Sequence, residues 1–436
     1  MTYFTEITNK YIKNNEMFSR FMKVFSVDFL VRGANFLLIY VFLYLMTKDE
    51  FGVYGYLYSF AMTVSGILNF GFYISMTKLY ADTNSDSNKQ SSMLFTVTTA
   101  LISLVTISML IVYFLKIDVD FFSLLNKTNG IDASTYLNYR GYVFVAILSM
   151  IFTNFLSFYF VSSEQIKKLQ LFNLIRFFLS NGISVLILYY SNGDNVLQRL
   201  AITYSMELLL TIIFGVFLFK RFIFRFDNYY LRKSFKIGMP IMVSSLMYSV
   251  VNFGDKFFVV KYSGINDFAV YNLGFLLATI VLIVYQSFNF VWIPLFLKEK
   301  DLVVLRRKTR RYIILIFFSF LLLGVLLWFF TLFALKINII PATYNTILYL
   351  LPILILSQIF AALIGILVNF MTYFEKTYIQ VFVGAGLSLV GYFLFDFLGK
   401  NYFTIGVAVG LLILNIISFV FYYFRVEYYI NNRLKE

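Results

Sequence analysis

Polar and charged side chains interrupt long apolar segments of this sequence at helical spacing. In the clearest case Ser245, Tyr248, Asn252 and Lys256 follow one another at i, i+3, i+7 and i+11, and Asp255 lies beside the last of them. Hydroxyl, amide and cationic groups on one stripe can bind a polar or anionic ligand. A membrane helix with such a stripe needs water or protein around it, so we expect the stripe to line a cavity.

A second polar group lies near the amino terminus. Asp28, Arg32 and Asn35 fall on one helical face at i, i+4 and i+7. A cation deep in a membrane costs roughly 2.5–3.5 kcal/mol on insertion scales, so Arg32 needs a partner or water. Asp28 either neutralises Arg32 within the helix or holds it toward a cavity, and the two roles are compatible.

Three further cations have two interpretations each. Arg176 lies on a stripe of polar residues, and it either contacts a ligand at the inner mouth of a cavity or pins its helix to a neighbour. Lys78 ends an apolar segment, and it either anchors that segment at the interface or attracts an anionic ligand. Lys256 either contacts an anionic ligand or extends to the outer interface.

One carboxyl group lies deep in an apolar segment. Glu207 sits between Thr203 and Thr211 at i±4, and it is either a titrating group or a neutral carboxyl hydrogen-bonded between helices. The sequence contains no His. Any coupling of this protein to protons must therefore use Glu207, Asp28 or Asp255.

The composition excludes several kinds of protein. The chain is 60% hydrophobic and only 13% charged, with a mean hydropathy of +0.80, whereas a soluble domain has about 25% charged residues. It lacks His, the usual base at neutral pH, and Cys, the thiol nucleophile. Both residues are also common zinc ligands. No phosphate-binding loop and no signal peptide are visible. We predict an integral membrane protein that is not an enzyme, with no cofactor and no metal site.

The apolar segments predict twelve membrane-spanning helices, with short connections and no separate soluble domain. The spans fall at roughly 22–46, 53–77, 93–115, 138–162, 170–190, 199–219, 237–261, 268–296, 312–334, 345–372, 377–398 and 404–424. The expected fold is therefore all-α.

The sequence repeats itself at an offset of 217 residues. Asn35-Phe36 matches Asn252-Phe253, and the FGVY run at 51–54 matches the FAVY run at 268–271. A repeat of this kind indicates a duplicated protein built from two pseudo-symmetric six-helix lobes.

We place the limits of these lobes at 1–219 and 237–436. A basic cytoplasmic linker, 220–236, joins them.

The basic residues are distributed unevenly over the loops. Of the 36 Lys and Arg residues, 24 lie on one set of loops and 8 on the alternate set, which places both termini in the cytoplasm. The net charge of +14 is therefore a sign of topology, and we expect no nucleic-acid partner. The basic segments 220–236 and 297–311 are either positive-inside anchors or binding sites for anionic lipid head groups.

Two stretches near the amino terminus, TKDEFGVY (47–54) and ILNFGFYISMTKLYAD (67–82), resemble polysaccharide flippases, as does the segment 236–271. These are the Wzx-type exporters of O-antigen and capsule repeat units, in the multidrug/oligosaccharidyl-lipid/polysaccharide exporter superfamily. The resemblance implies two six-helix lobes around a central cavity that is lined by helices 1, 2, 7 and 8 and opens alternately to each side.

The same resemblance implies a substrate and a location. The substrate is an undecaprenyl-diphosphate-linked oligosaccharide, moved to the outer leaflet of a bacterial cytoplasmic membrane. Membrane lipids, a polysaccharide polymerase and glycosyltransferases are the implied partners. Arg32 and Lys256 are then the expected diphosphate contacts, and Asn35, Tyr248 and Asn252 are expected to face the sugars.

Two alternatives remain open. One is a drug or small-cation exporter of the same superfamily, which predicts an anionic, aromatic cleft. The other is a membrane polysaccharide polymerase or ligase, which is disfavoured because the outer loops are short and His is absent.

Overall fold

A computed structural model describes residues 33–34, 36–83, 86–126, 129–191, 193–219, 225–374, 376 and 378–434. Within these ranges the regular structure is helical throughout, with one short 3₁₀ turn at Ala342–Tyr344. The all-α fold predicted from the apolar segments is confirmed.

The helices of the first half are short to medium in length. They are α1 (Phe36–Leu45), α2 (Lys48–Leu68), α3 (Phe72–Asp82), α4 (Ser87–Leu115), α5 (Ile117–Phe122), α6 (Ala133–Ser162), α7 (Ile166–Tyr190) and α8 (Asn195–Phe219).

The second half contains longer helices. They are α9 (Asn228–Ala278), α10 (Ile280–Lys298), α11 (Leu302–Lys336), α12 (Ile347–Tyr373) and α13 (Ile379–Arg433). Two of these are helix pairs, because the backbone turns at Gly264 (φ +81°) and at Phe403 (φ +54°). We call their parts α9a (228–263), α9b (265–278), α13a (379–402) and α13b (404–433).

Nine helical segments of the described chain are long and apolar enough to cross a membrane, and the shorter α1 is also apolar. Two of the nine contain a chain reversal and therefore two spans each. The total agrees with the prediction of about twelve spans in two pseudo-symmetric lobes.

Short polar residues begin many of these helices. Thr47 and Glu50 form a capping box at the start of α2, with each side chain bonded to the other's backbone N–H. Asp86, Asp132 and Asp301 accept backbone N–H groups at the starts of α4, α6 and α11. The tight loops of this protein thus satisfy the free N–H groups that a helix start would otherwise leave unpaired.

The second predicted span, 53–77, is not continuous. The backbone leaves the helix after α2 and restarts in α3, with Gly71 at φ +65°. A Cβ at Gly71 would lie 2.6 Å from the carbonyl oxygen of Gly238 in α9a. The break lets the two halves approach through backbone alone, which hydropathy does not reveal.

The second half also begins earlier than expected. Helix α9a starts at Asn228, inside the segment that the sequence predicts as a linker, and Lys233 pairs with Asp82 of α3 at 2.9 Å. The start of the second half therefore packs on the first half. The lobe limits themselves stay a prediction.

The repeated motif places its two copies against each other. A Cβ at Gly52 would lie 3.3 Å from the Cβ of Ala269, and a Cβ at Gly55 would lie 2.2 Å from the side chain of Asn272. Both pairs are related by the repeat offset of 217 residues. Equivalent residues that touch each other lie beside a pseudo-two-fold axis, so this axis passes between α2 and α9b.

Candidate functional site: a polar cavity in the first half

A cavity of about 990 Å³ lies among helices α1, α2, α3, α6, α7 and α8 of the first half and α9a, α9b and α10 of the second. Among the described residues, the charged side chains of its wall come from the first half alone. They are Arg176, Arg199 and Glu207. Among the described residues, α12 and α13 contribute nothing to its wall.

Arg199 occupies one end of the cavity in an aromatic sandwich. Its guanidinium carbon lies 3.4 Å from the ring centre of Phe42 and 3.6 Å from that of Tyr54. One of its nitrogens contacts the sulfur of Met46 at 3.4 Å. The ion pairs among the described residues do not include Arg199. The rings cover both faces of a cation that lines the cavity.

Tyrosine rings continue from this sandwich along the wall. Tyr54 and Tyr58 stack with centres 6.3 Å apart, and Tyr58 and Tyr204 stack at 6.5 Å. The hydroxyls of Tyr54 and Tyr204 are 3.3 Å apart. Amide side chains also line the cavity, at Asn69, Asn154, Asn181 and Asn272. Aromatic faces and amides are groups that suit sugar hydroxyls and sugar rings.

Glu207 and Arg176 face each other further along the cavity. Arg176 acts electrostatically on Glu207, and the hydroxyl of Ser149 donates a weak hydrogen bond to the carboxylate at 3.5 Å. Arg176 also lies over the ring of Phe172 at 5.7 Å. Neither side chain belongs to an ion pair within 4 Å among the described residues.

One stripe of α8 positions most of this chemistry. Arg199, Thr203, Glu207 and Thr211 follow at intervals of four, and the first three line the cavity. Thr211 shares a hydrogen bond of 2.8 Å with Thr153 of α6, which sets the rotation of α8.

A side-chain hydrogen bond also fixes the start of α8. The side-chain amide of Asn195 donates to the carboxylate of Glu50 at 3.1 Å, which ties α8 to the capping box of α2.

Sequence reasoning does not single out Arg199, because it is the first residue of the predicted span 199–219 and counts among the basic residues that flank the spans. The signal was present, since Arg199 extends the stripe of Thr203, Glu207 and Thr211 by one turn.

The structure brings three of the predicted site residues to the cavity: Arg176, Glu207 and Ser245. Lys78 is exposed on α3 and does not line it. Asp28, Arg32 and Asn35 lie outside the described residues, so their expected positions stay predictions.

The predicted stripe on α9a does not face this cavity beyond Ser245. Tyr248 packs on Gly384 of α13a, and its hydroxyl lies 3.3 Å from that of Tyr422 in α13b. Asn252 is exposed away from the cavity wall. Helical spacing places these residues on one side of α9a, but the structure gives Ser245, Tyr248 and Asn252 different surroundings.

Asp255 and Lys256 form a buried ion pair, with the ammonium nitrogen 3.2 Å from a carboxylate oxygen. Lys256 also donates to the carbonyl of Asn252 at 3.0 Å and lies 4.3 Å from the ring centre of Phe275. Tyr271 donates to Asp255 at 2.6 Å. In this arrangement Lys256 neither reaches the cavity nor extends to the outer interface.

Hydrogen bonds also connect the two halves outside the cavity lining. The side-chain amide of Asn129 donates to the carbonyls of Val260 and Lys261, both at 2.7 Å. Beside it, Lys48 donates to the carbonyl of Thr343 at 3.1 Å. We call these contacts the outer clamp, because they lie on the side that the distribution of basic residues predicts to be outside.

The aromatic side chains of α5 support the outer clamp. Phe121 packs on Phe253 and Phe257 of α9a, with ring centres 6.0 and 5.4 Å apart. Phe122 packs on Tyr56 and Phe60 of α2 at 5.9 and 5.2 Å. The loop between α4 and α6 is thus wedged between the halves.

The part of the chain that the structure describes contains no cluster of three or more acidic side chains that could hold a metal ion. What the cavity offers is binding: two cations, one carboxylate, amides and aromatic rings in a space large enough for a sizeable polar group.

A comparison with known protein families places the chain in one of them. Residues 21–300 match the family model described as polysaccharide biosynthesis protein. The chain belongs to this family. The matched region includes every helix that lines the cavity. A comparison with curated protein sequences returns no match.

Solved structures share the fold at low sequence identity. The inward-facing form of a multidrug resistance MATE family transporter of the MOP superfamily has a TM-score of 0.66 at 14% identity, over 92% of this chain and 99% of that one. The lipid II flippase MurJ, in an inward closed conformation, has a TM-score of 0.66 at 15% identity, over 93% and 87%. An outward-facing MATE family transporter has a TM-score of 0.57 at 14% identity, over 94% of each chain.

Proposed function

We propose that this protein is a flippase that moves an undecaprenyl-diphosphate-linked oligosaccharide repeat unit from the cytoplasmic to the outer leaflet, in the biosynthesis of O-antigen, capsule or exopolysaccharide. Membership of the polysaccharide biosynthesis family supports this pathway. The proposal includes a bacterial cytoplasmic membrane with both termini inside. Its partners are the glycosyltransferases that build the unit and the polymerase that consumes it.

The observation that carries the proposal is the pair of arginines in the cavity. Arg199 and Arg176 have no ion-pair partner within 4 Å among the described residues, although unpaired cations are costly at membrane depth. A diphosphate supplies the close anion that neither arginine has, since Glu207 acts on Arg176 only from beyond 4 Å, and the arginine fork suits phosphate oxygens. Tyrosines and amides nearby suit the sugars, while the prenyl chain stays in the bilayer.

The contacts proposed for the diphosphate differ from those expected from the sequence. Arg199 takes the role expected of Lys256, because Lys256 is already neutralised by Asp255. Arg32 remains a proposed contact, held by Asp28 and followed by Asn35 on the same face.

Transport needs no bond to be broken. Alternating access requires only that the outer clamp opens after the head group has entered from the cytoplasmic side.

The test is export by Arg199→Gln/Arg176→Gln in a strain that lacks the chromosomal copy. We expect surface glycan to fall at least about tenfold, because each lost charge-assisted contact is worth about 1.5–3 kcal/mol. Lys336→Gln is the matched control, since it removes an exposed cation at the end of α11. Normal surface glycan in the double variant, at equal protein abundance, would contradict the proposal.

A drug or small-cation exporter remains the second candidate, favoured by Glu207 and by the tyrosine wall of the cavity. Overexpression should then confer resistance to cationic dyes without any change in surface glycan. The two arginines argue against it, because they repel a cationic cargo.

For energy coupling we propose Glu207, the carboxylate that lies in the cavity opposite Arg176. Glu207→Gln should stop export or remove its dependence on the proton gradient. Unchanged export with unchanged sensitivity to an uncoupler would leave Glu207 a hydrogen-bonding role only.

A further inference from the structure

Helix α11 begins with a cluster of five cations, and the structure divides them into two classes. Arg310 pairs with Glu427 of α13b at 2.8 Å, and Arg306 pairs with the same carboxylate. Lys308 pairs with Glu299 at 2.7 Å.

The other two, Arg307 and Arg311, are exposed and have no acceptor among the described residues. Glu427 holds Arg306 and Arg310, so it fixes the rotation of α11 and turns Arg307 and Arg311 outward. Being four residues apart, these two lie on one face of the helix, where like charges repel each other.

A lipid-facing stripe continues that face along α11. Ile314, Phe318, Leu322 and Phe329 follow Arg307 and Arg311 at helical spacing and are each 57–63% exposed. Only 17% of the apolar window of α11 is buried in the protein. Large apolar side chains of a membrane helix that are exposed from the protein contact acyl chains.

The length of this apolar surface matches a bilayer. From Ile314 to Phe333 it extends about 29 Å at 1.5 Å per residue, close to the hydrocarbon thickness of about 30 Å. Arg307 and Arg311 lie one to two turns beyond its end. They are therefore at the depth of the lipid head groups.

We propose that Arg307 and Arg311 form a binding site for the head-group phosphate of an anionic phospholipid, whose acyl chains lie along the exposed stripe of α11. Two guanidinium groups one helical turn apart can share one phosphate, and the arginine fork provides directed hydrogen bonds to its oxygens. The anion relieves the repulsion between the two cations. The paired Arg306 and Arg310 place the site and do not bind the lipid.

A binding site of this kind differs from a general excess of positive charge on one side of the membrane. Orientation requires only charge, whereas a site requires two particular cations without partners above an acyl-chain surface. The inference is independent of which cargo the cavity carries.

The test compares lipid binding by purified protein in nanodiscs of phosphatidylcholine with and without phosphatidylglycerol, counted as retained lipids by native mass spectrometry. We expect the wild-type protein to retain phosphatidylglycerol preferentially. Arg307→Gln/Arg311→Gln should lose that preference, with about fivefold weaker binding for each arginine removed.

Lys167→Gln/Lys168→Gln is the matched control. It removes two exposed neighbouring cations from the same predicted side of the membrane, at the start of α7. We expect less than about a twofold change, because a distant charge adds little to the affinity for one bound lipid. Each single arginine variant should lose part of the preference. Equal phosphatidylglycerol retention by wild type and Arg307→Gln/Arg311→Gln, or no lipid preference in any of the proteins, would overturn the site.

Discussion

Tyr54 and Tyr271 occupy equivalent positions in the two halves of this chain, yet their hydroxyls meet different neighbours. Tyr54 covers the guanidinium of Arg199, and its hydroxyl approaches that of Tyr204 at 3.3 Å. Tyr271 donates to Asp255, which holds Lys256 in a buried ion pair.

The comparison shows how a duplicated hairpin acquires two roles. In the first half a cation faces a cavity without a carboxylate partner within 4 Å, so it is available to a ligand. In the second half the cation Lys256 belongs to the hairpin itself and is neutralised by the neighbouring Asp255, so this hairpin packs as a wall. A buried charge that lacks its partner is strongly destabilising, which explains why Asp255 and Lys256 occur together.

The halves also differ at the outer clamp. The first half supplies the donor, the side chain of Asn129, and the second half supplies backbone acceptors at the reversal before α9b. In the proposed transport cycle, opening to the outside must break these contacts. We therefore expect the first half to carry both ligand contacts and the gate, while the second half supports them.

The largest expected effect comes from fixing the outer clamp. The chain has no cysteine, so Asn129→Cys/Lys261→Cys can be joined by a short bis-maleimide without background reaction. Export measured as surface glycan should stop on cross-linking, because the halves cannot separate on the outside. Each single variant treated with the same reagent is the control. Continued export by fully cross-linked protein would show that the halves need not separate at the outer clamp.

A smaller effect, on the free energy of unfolding, is expected from breaking the buried ion pair of the second half. Lys256→Gln should lower the free energy of unfolding by about 3–5 kcal/mol, because it leaves Asp255 charged and unpaired. Asp255→Asn/Lys256→Gln should recover most of the loss, since no buried charge then remains. Thermal unfolding in detergent measures both, and additive losses in the double variant would show that the pair is not coupled.

The smallest effect concerns the pseudo-symmetry axis. Gly52→Ala should destabilise by about 1–3 kcal/mol, because its Cβ would lie 2.6 Å from the backbone carbonyl oxygen of Ile265 and the halves must shift. Gly141→Ala in α6 is the control, because nothing lies within 4 Å of its Cβ position. Equal unfolding temperatures for the two variants would mean that α2 and α9b do not pack this closely.

The class, the repeat and the number of spans follow from the amino-acid sequence alone. Hydropathy and the 217-residue offset are properties of local residue types, and a membrane admits few structures for long apolar segments. Spacing also grouped Thr203, Glu207 and Thr211 on one face, and that face does line the cavity except at Thr211.

Which polar stripe lines the cavity depends on how the helices pack against one another. Spacing defines a helical face but not the neighbour that the face turns toward. Contacts such as Tyr248 on Gly384 turn α9a toward α13, while Thr211 on Thr153 orients α8 and brings Arg199 to the cavity. The break at Gly71 has the same origin, because close backbone approach to Gly238 exists only once the two halves are packed.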